Sequence, residues 1–437
     1  MSKRSLLVVV LAVFLMSLSI PLVSQAQGDV ELRWRTRPDN QAEIDLYQSI
    51  SDSVDKSWDG VTLKYEAGGT ETAGYQTTLL TEVAAGTAPD VFWIPGADVA
   101  SFAKAGAILN LADLADKAKF DTNVYYPQQI EQLTFDPAGG KALWGLPRDA
   151  SSFALYYNED LFAEAGLDTP DKMIAAGKWN WDTFTATAKA ISELSNGDNK
   201  IVGAGMNGWW ANWLVWINAA ANNGRNNYFN EDRTACGLNQ PATTEAFKFL
   251  SNIYSNGWAV PFGSDSEPPF VAGTVGMFMN GRWATPNAIQ NLKFKWNVAE
   301  LPTAPNGGKS NWLFWGAYVV NAKSANPEKA FELVSRLTSV DVESQVTAKG
   351  ANIPSLNSKD AVDAFLKSLK DVKPELNSAA FSNALSYGVA EGPLWAADYN
   401  ALDAVVGGEV TKVMSGDVKP EDFTKTICDQ MNTFFKK

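Results

Sequence analysis

Apolar and polar positions alternate from Asp29 to Trp34 and again over Val61–Tyr65, the period-two pattern of strands with one buried face. Between them Ile44, Leu46, Tyr47 and Ile50 fall at helical spacing. Gly68 and Gly69 turn the chain, and Leu79, Leu80 and Val83 mark one face of a helix from Tyr75 to Ala85 that Gly86 and Pro89 end. Val91–Ile94 follows as a short apolar strand, then Asp98 to Ala105 as a helix closed by Gly106. Strand, helix, strand, helix at this spacing predicts an α/β layer with a largely parallel sheet. Ligands bind beyond the C-terminal strand ends of such sheets, so Thr36–Asn40, Glu66–Gly69 and Pro95–Asp98 are expected to face one crevice.

A second unit starts near Pro147, with a strand over Phe153–Tyr157 and a helix whose apolar stripe is Trp181, Phe184, Ala188, Ile191 and Leu194. Asn326 as N-cap and Pro327 at the first helical position open a later helix carrying Ala330, Phe331, Val334 and Leu337. No repeat or low-complexity linker separates the units, and the longest Gly/Pro-rich stretch is Pro302–Gly308. Lobes joined without a tether share short crossing segments, which is the organisation of a hinge.

At the N-terminus Lys3 and Arg4 precede an apolar run from Leu6 to Met16, then Pro21 and Ser24-Gln25-Ala26, the signature of a cleavable secretory signal peptide over residues 1–26. A transmembrane reading of residues 5–20 is the competing one, but Ser17, Ser19 and Pro21 break the run short of the roughly 20 residues a span needs. No Cys follows the small residues, so no lipid anchor is expected. Cys236 and Cys428 then face an oxidising space, where two readings stand: one bridge closing a long loop, or two buried thiols acting as small apolar residues.

The 437 residues, 46% hydrophobic and 19% charged, suit a large globular protein of two or three domains. Thirty-six Lys and Arg against 49 Asp and Glu give a net charge of −13, without the basic excess that neutralises phosphate backbones, so nucleic acid is not an expected partner. The chain has no histidine. That removes Ser-His-Asp and Cys-His nucleophile systems and imidazole metal sites, and two cysteines are too few for an all-Cys zinc site; no metal and no cofactor are expected. Gly308-Lys309-Ser310 is not a phosphate-binding loop, because Thr303 stands where its first glycine belongs.

Sixteen tryptophans are the positive signal. A flat apolar face with an N–H edge suits a sugar ring, which offers C–H groups to the face and hydroxyls to polar neighbours. Trp93 ends a predicted strand, and Trp209, Trp210, Trp213 and Trp216 put four indoles into eight residues. Trp283 follows Asn280-Gly281-Arg282, Trp315 precedes Gly316, and Trp395 follows Gly392-Pro393.

These residues carry a resemblance to the extracellular solute-binding proteins of sugar ABC importers, in the superfamily of maltose-binding proteins. Its most specific pieces are residues 86–93 (GTAPDVFW), 146–149 (LPRD) with 155–158 (LYYN), 179–184 (WNWDTF), 270–283 (FVAGTVGMFMNGRW) and 321–324 (NAKS), in the family's order across nearly the whole chain. The resemblance implies an α/β, two-lobe periplasmic binding protein fold, type II-like, with crossing hinge segments near Pro147–Ala150, Leu301–Thr303 and Thr338–Glu343. Lobe one would be residues 27–149 with 303–342, and lobe two 150–302 with 343–437, which places both cysteines in one lobe.

Carried over by position, Trp93 resembles a first-lobe cleft aromatic, and Asp149 to Ser151 a polar sugar contact beside the hinge. Trp283 and Trp395 resemble second-lobe stacking residues, and Trp315-Gly316 a first-lobe cleft wall. Arg37, Asn40 and Tyr75 are added from strand-end or helix-start position, where surface or structural roles compete equally. Trp213 and its cluster either widen the stacking platform or pack within lobe two. The implied protein is a periplasmic monomer, not an enzyme, that closes on a carbohydrate and docks on ABC permease subunits. Two rivals stand beside it: a polyamine or other cation-binding protein using acids and tryptophan boxes, and a secreted glycoside hydrolase needing only two carboxylates.

Overall fold

The computed structural model describes residues 30–38, 41–69, 72–136, 138–197, 199–206, 211–348, 352–390, 395 and 399–435. The leader reading, Asn40, Trp209 and Trp210 lie outside the described residues. Among the described residues ten strands form two sheets. The first contains β1 (Val30–Thr36), β2 (Val61–Ala67), β3 (Val91–Pro95), β4 (Leu146–Ser151), β9 (Asn311–Val320) and β10 (Gly388–Ala390), in the order β10-β9-β3-β1-β2 with β4 also on β9. The second contains β5 (Phe153–Asn158), β6 (Val202–Met206), β7 (Val275–Gly281) and β8 (Trp296–Ala299), in the order β6-β7-β5-β8.

Helices α1 (Gln41–Lys56) and α2 (Thr72–Ala85) cross between the first three strands, as the alternating pattern predicts. β1 therefore runs parallel to both β2 and β3. The sheet is nonetheless mixed: β9 lies antiparallel to β3 and β4, where the sequence pattern suggested a largely parallel sheet. β9 arrives after a long excursion through the second sheet rather than through one crossover helix, so the crossover rule does not set its direction. β10, from the far C-terminal segment, completes the edge of this first sheet in parallel with β9.

Each sheet has its own core. In the first, Leu32, Trp34, Phe92 and Val319 are fully buried, and the Trp34 indole N–H donates to Ser51 Oγ at 3.0 Å. In the second, Trp181 stacks on Phe249 at 4.5 Å between ring centres, on a helix opened by the reciprocal Asn180 and Thr183 capping bonds. Trp213 and Trp216 belong here too, Trp213 beside Tyr228 and Phe247 and Trp216 beside Phe184 and Phe249. In this structure both indoles pack within the second core, and the helix that follows Trp213, Leu214–Ala221, is buried at every position from 214 to 220.

Among the described residues no helix is long and apolar enough to cross a membrane. Cys236 and Cys428 are joined in a disulfide, their Cα atoms 5.2 Å apart and 192 residues apart in sequence. It ties the loop before helix Pro241–Ser255 to the last long helix, Pro420–Met431, two elements that pack on each other. Replacing both cysteines (Cys236→Ser with Cys428→Ser) is expected to cost about 2–4 kcal/mol, because the unfolded chain regains the freedom of a very long loop. A urea unfolding midpoint that is unchanged in the double variant would refute this.

Candidate functional site

Because β1, β2 and β3 are parallel, their C-terminal ends at Thr36, Ala67 and Pro95 share one edge of the first sheet. β9 places Gly316 opposite Pro95, and β4 places Asp149 opposite Gly316 from the other side. Trp93, Asp149, Trp315 and Gly316 thus meet across three neighbouring strands. The two indoles sit where glycines leave room. A Cβ on Gly316 would lie 1.9 Å from Trp93 Nε1, and one on Gly96 would lie 2.4 Å from Trp315 Cε2. Both indole N–H groups are buried and have no hydrogen-bond partner among the described residues. A buried unpaired donor costs about 1–3 kcal/mol, so each marks a place where a ligand or water supplies an acceptor.

Asp149 anchors this corner. One carboxylate oxygen accepts the Gly316 N–H at 3.0 Å, and the other accepts from Arg148, whose Nε lies 2.9 Å away. Neighbours in a regular strand point to opposite faces, which would separate Arg148 from Asp149. The register of β4 against β9 slips between Pro147 and Asp149, and that bulge brings the two charges together. Gln129 holds the bulge from behind by donating to the Asp149 carbonyl at 2.8 Å.

Arg148 then reaches the Trp93 ring, 4.8 Å from its centre, and Arg37 approaches the same ring at 5.3 Å. Burial works against the Arg148 charge, but Asp149, Tyr47 and Tyr318 outweigh it and hold its pKa above the ordinary value. The Tyr47 hydroxyl accepts from Arg148 at 3.2 Å, and burial pushes its own pKa up.

The remaining expected residues divide. Tyr75 is buried and donates to the Trp93 carbonyl at 2.9 Å, so it positions the cleft aromatic from behind. Ser151 Oγ accepts the Arg282 N–H at 3.2 Å, joining β4 to the turn that carries Trp283. Trp283 is half-buried, edge-on to Phe314 at 5.2 Å and to Phe153 at 6.4 Å, on the face of β9 opposite Trp315. Trp395 stands in another group, with Phe135 and Trp144, its N–H donating to the Gln132 carbonyl at 3.2 Å. Arg148, Gly96 and Gln129 were not singled out from the sequence. The adjacent acid and base of 146–149 (LPRD) were visible there, but the bulge that unites them was not.

Behind the site, Glu343 is buried beside the hinge strand. Ser355 Oγ donates to its carboxylate and also lies 3.0 Å from the Pro147 carbonyl, while Leu356 N–H donates to it at 3.2 Å. Burial, reinforced by Asp149, pushes its pKa well above the usual carboxylate range against these hydrogen bonds.

Two sheets, each with its own core and helices, the chain passing from β4 of the first into β5 of the second, define a two-lobe substrate-binding fold. A solved ABC substrate-binding protein from Listeria monocytogenes, in complex with cycloalternan, matches it with a TM-score of 0.77 at 23% identity, over 93% of this chain and 98% of that one. The chain belongs to the bacterial extracellular solute-binding proteins, whose family model matches residues 45–343. Among relatives, a binding protein of Brucella abortus is 25% identical over 359 residues, 79% of this chain and 81% of its own. The sn-glycerol-3-phosphate-binding periplasmic protein of Pectobacterium atrosepticum is 27% identical over 292 residues, 59% of this chain and 62% of its own. The family is one of extracytoplasmic binding proteins rather than enzymes.

Gly316→Ala is expected to displace the Trp93 indole, costing about 1–3 kcal/mol from overpacking and changing the tryptophan emission; an unaltered spectrum and melting point would contradict the packing described. For Glu343, the folded state holds a proton that the unfolded chain releases at lower pH. Its contribution therefore weakens as pH rises from the ordinary carboxylate range towards its elevated folded value. Urea midpoints against pH should show wild type losing stability relative to Glu343→Gln as pH rises, and parallel curves would refute the assignment.

Proposed function

We propose that this protein is the substrate-binding component of an ABC importer in the periplasm, a monomer that captures a neutral sugar or oligosaccharide between its lobes and presents it to the permease. The observation that carries the reading is the buried, unpartnered indole N–H of Trp93, whose ring lies against the Asp149-paired Arg148, with a second such N–H, that of Trp315, at Gly96. Indole faces take sugar C–H groups, and the polar edge takes hydroxyls. The lobe division expected from the sequence, 27–149 with 303–342 and 150–302 with 343–437, is kept as part of this proposal, with β10 joining the first lobe's sheet. Closure follows from ligand contacts to both lobes, which favour the closed form by differential affinity. The cognate Listeria protein's bound cycloalternan supports a carbohydrate as the ligand class.

A polyamine is disfavoured because the one acid at the Trp93 corner, Asp149, is already paired with Arg148 and leaves no surplus negative charge for a cation. A hydrolase is disfavoured because Asp149 has both oxygens engaged, one by Gly316 N–H and one by Arg148. A polyol phosphate is the second reading, favoured by the two guanidiniums against Trp93 and by the name of the Pectobacterium relative.

Melting temperature and tryptophan fluorescence against maltooligosaccharides, spermidine and sn-glycerol 3-phosphate separate these. A neutral oligosaccharide is expected to raise the melting point in a dose-dependent way, at low and high salt alike, without being consumed. Trp93→Ala should weaken that binding by at least about tenfold, roughly 1.4 kcal/mol. A response to the phosphate alone, fading with salt, would replace the sugar by the second reading; a response to spermidine alone or turnover of the sugar would overturn both.

A further inference from the structure

A crevice of about 180 Å³ lies apart from the Trp93 cluster and shares no lining residue with it. One wall is helix α3 (Pro127–Leu133), which presents Gln128, Glu131 and Gln132 at the i, i+3, i+4 spacing of one helical face. The opposite wall is the loop of residues 224–233, which carries Arg225 and Asn226, and β10 closes one side. The two walls are tied by an ion pair between Arg233 and Glu131, and Gln128 Nε2 donates to the Gly388 carbonyl at 3.4 Å.

Four side-chain atoms around this space are buried without a hydrogen-bond partner among the described residues: the acceptors Gln128 Oε1 and Gln132 Oε1, and the donors Arg225 Nε and Asn226 Nδ2. At about 1–3 kcal/mol for each unpaired buried group, four around one crevice mark it as a place where a bound molecule or water supplies the missing partners. The occupant's chemistry follows from what the walls already spend. Arg233 is paired with Glu131 and Arg225 with Glu231 at 2.8 Å, so the charges cancel within the walls and an ionic ligand gains no counter-charge. What remains is acceptors on one wall and donors on the other, and a hydroxyl group both donates and accepts.

The lining contains no aromatic residue, so ring stacking is not the mode of recognition. A water needs about 10–15 Å³ by this measure. The crevice therefore holds about a dozen water-sized positions, comparable with the non-hydrogen atoms of a single hexose or hexitol.

We propose that the crevice between helix α3, the 224–233 loop and β10 is a second binding site, for one small uncharged polyhydroxy compound of monosaccharide or hexitol size. It does not depend on the nature of the ligand at Trp93. An oligosaccharide failing to bind at Trp93 would overturn the earlier reading and leave this one standing.

The test is calorimetric titration of D-glucose and D-mannitol into the purified protein and into Gln132→Leu, Asn226→Leu and Trp93→Ala, with a crystal structure grown in the better binder. At least one compound is expected to bind wild type and Trp93→Ala equally, and at least tenfold more weakly to each leucine variant. The two leucine substitutions come from opposite walls, so if one fails to fold, shown by circular dichroism, the other carries the test. Absence of binding to wild type, density for water alone in the crevice, or loss in Trp93→Ala would each overturn the proposal.

Discussion

A strand with no exposed residue must have every backbone group paired by its neighbours, and β9, Asn311–Val320, is such a strand over all ten of its residues. β3 pairs with Gly316 to Val320, β4 with Phe314 to Tyr318 and β10 with Asn311 to Leu313. Segments from three distant parts of the sequence therefore have to converge on one strand. The site is a by-product of that convergence, because Trp93, Asp149 and Gly316 are brought together by the ladder itself. Buried strands of this kind also resist slippage, since a one-residue shift would turn Trp315 away from the cleft and Phe314 towards it.

Charge placement at the cleft follows from the same geometry. A guanidinium and a carboxylate adjacent in sequence would normally diverge, and their pairing here rests on a bulge at Pro147 to Asp149. Asp149 spends one oxygen on the Gly316 N–H, so the carboxylate fixes the position of β9 as well as that of Arg148. Arg148 in turn lies against Trp93, which makes the aromatic wall a neighbour of fixed positive charge. Such a wall offers a cation no unpaired acid and leaves the Trp93 indole N–H to an acceptor.

The first three strands and their helices were legible because one-sided burial leaves a period in the sequence. β9 was not, since ten buried residues read as one apolar run that carries neither strand direction nor partner. Trp93 and Trp315 could be picked out as strand-end indoles beside small residues. Trp213 could not be told from them, because an indole in a core and an indole at a strand end have the same local sequence, and its aromatic neighbours Tyr228 and Phe247 are set by the fold. Trp395 shows the same limit from the other direction: its neighbours Phe135, Trp144 and Gln132 lie some 250 residues earlier, and no local pattern encodes that distance.

The crossing strand couples the site to the hinge through short, directional contacts rather than through bulk packing. Ser355 joins the Pro147 carbonyl to the buried Glu343, and Gln129 holds the Asp149 carbonyl two residues further on. Ile353 and Ala150 exchange backbone hydrogen bonds at 2.8 and 3.0 Å in the same stretch. Any lobe rotation must be absorbed at a few residues that flank such a pinned segment. In the proposed capture mechanism, pinning both sides of the bulge keeps Arg148 and Asp149 in register with Trp93 when the lobes close, so ligand binding energy goes into bringing the second lobe to a preformed half-site rather than into building it.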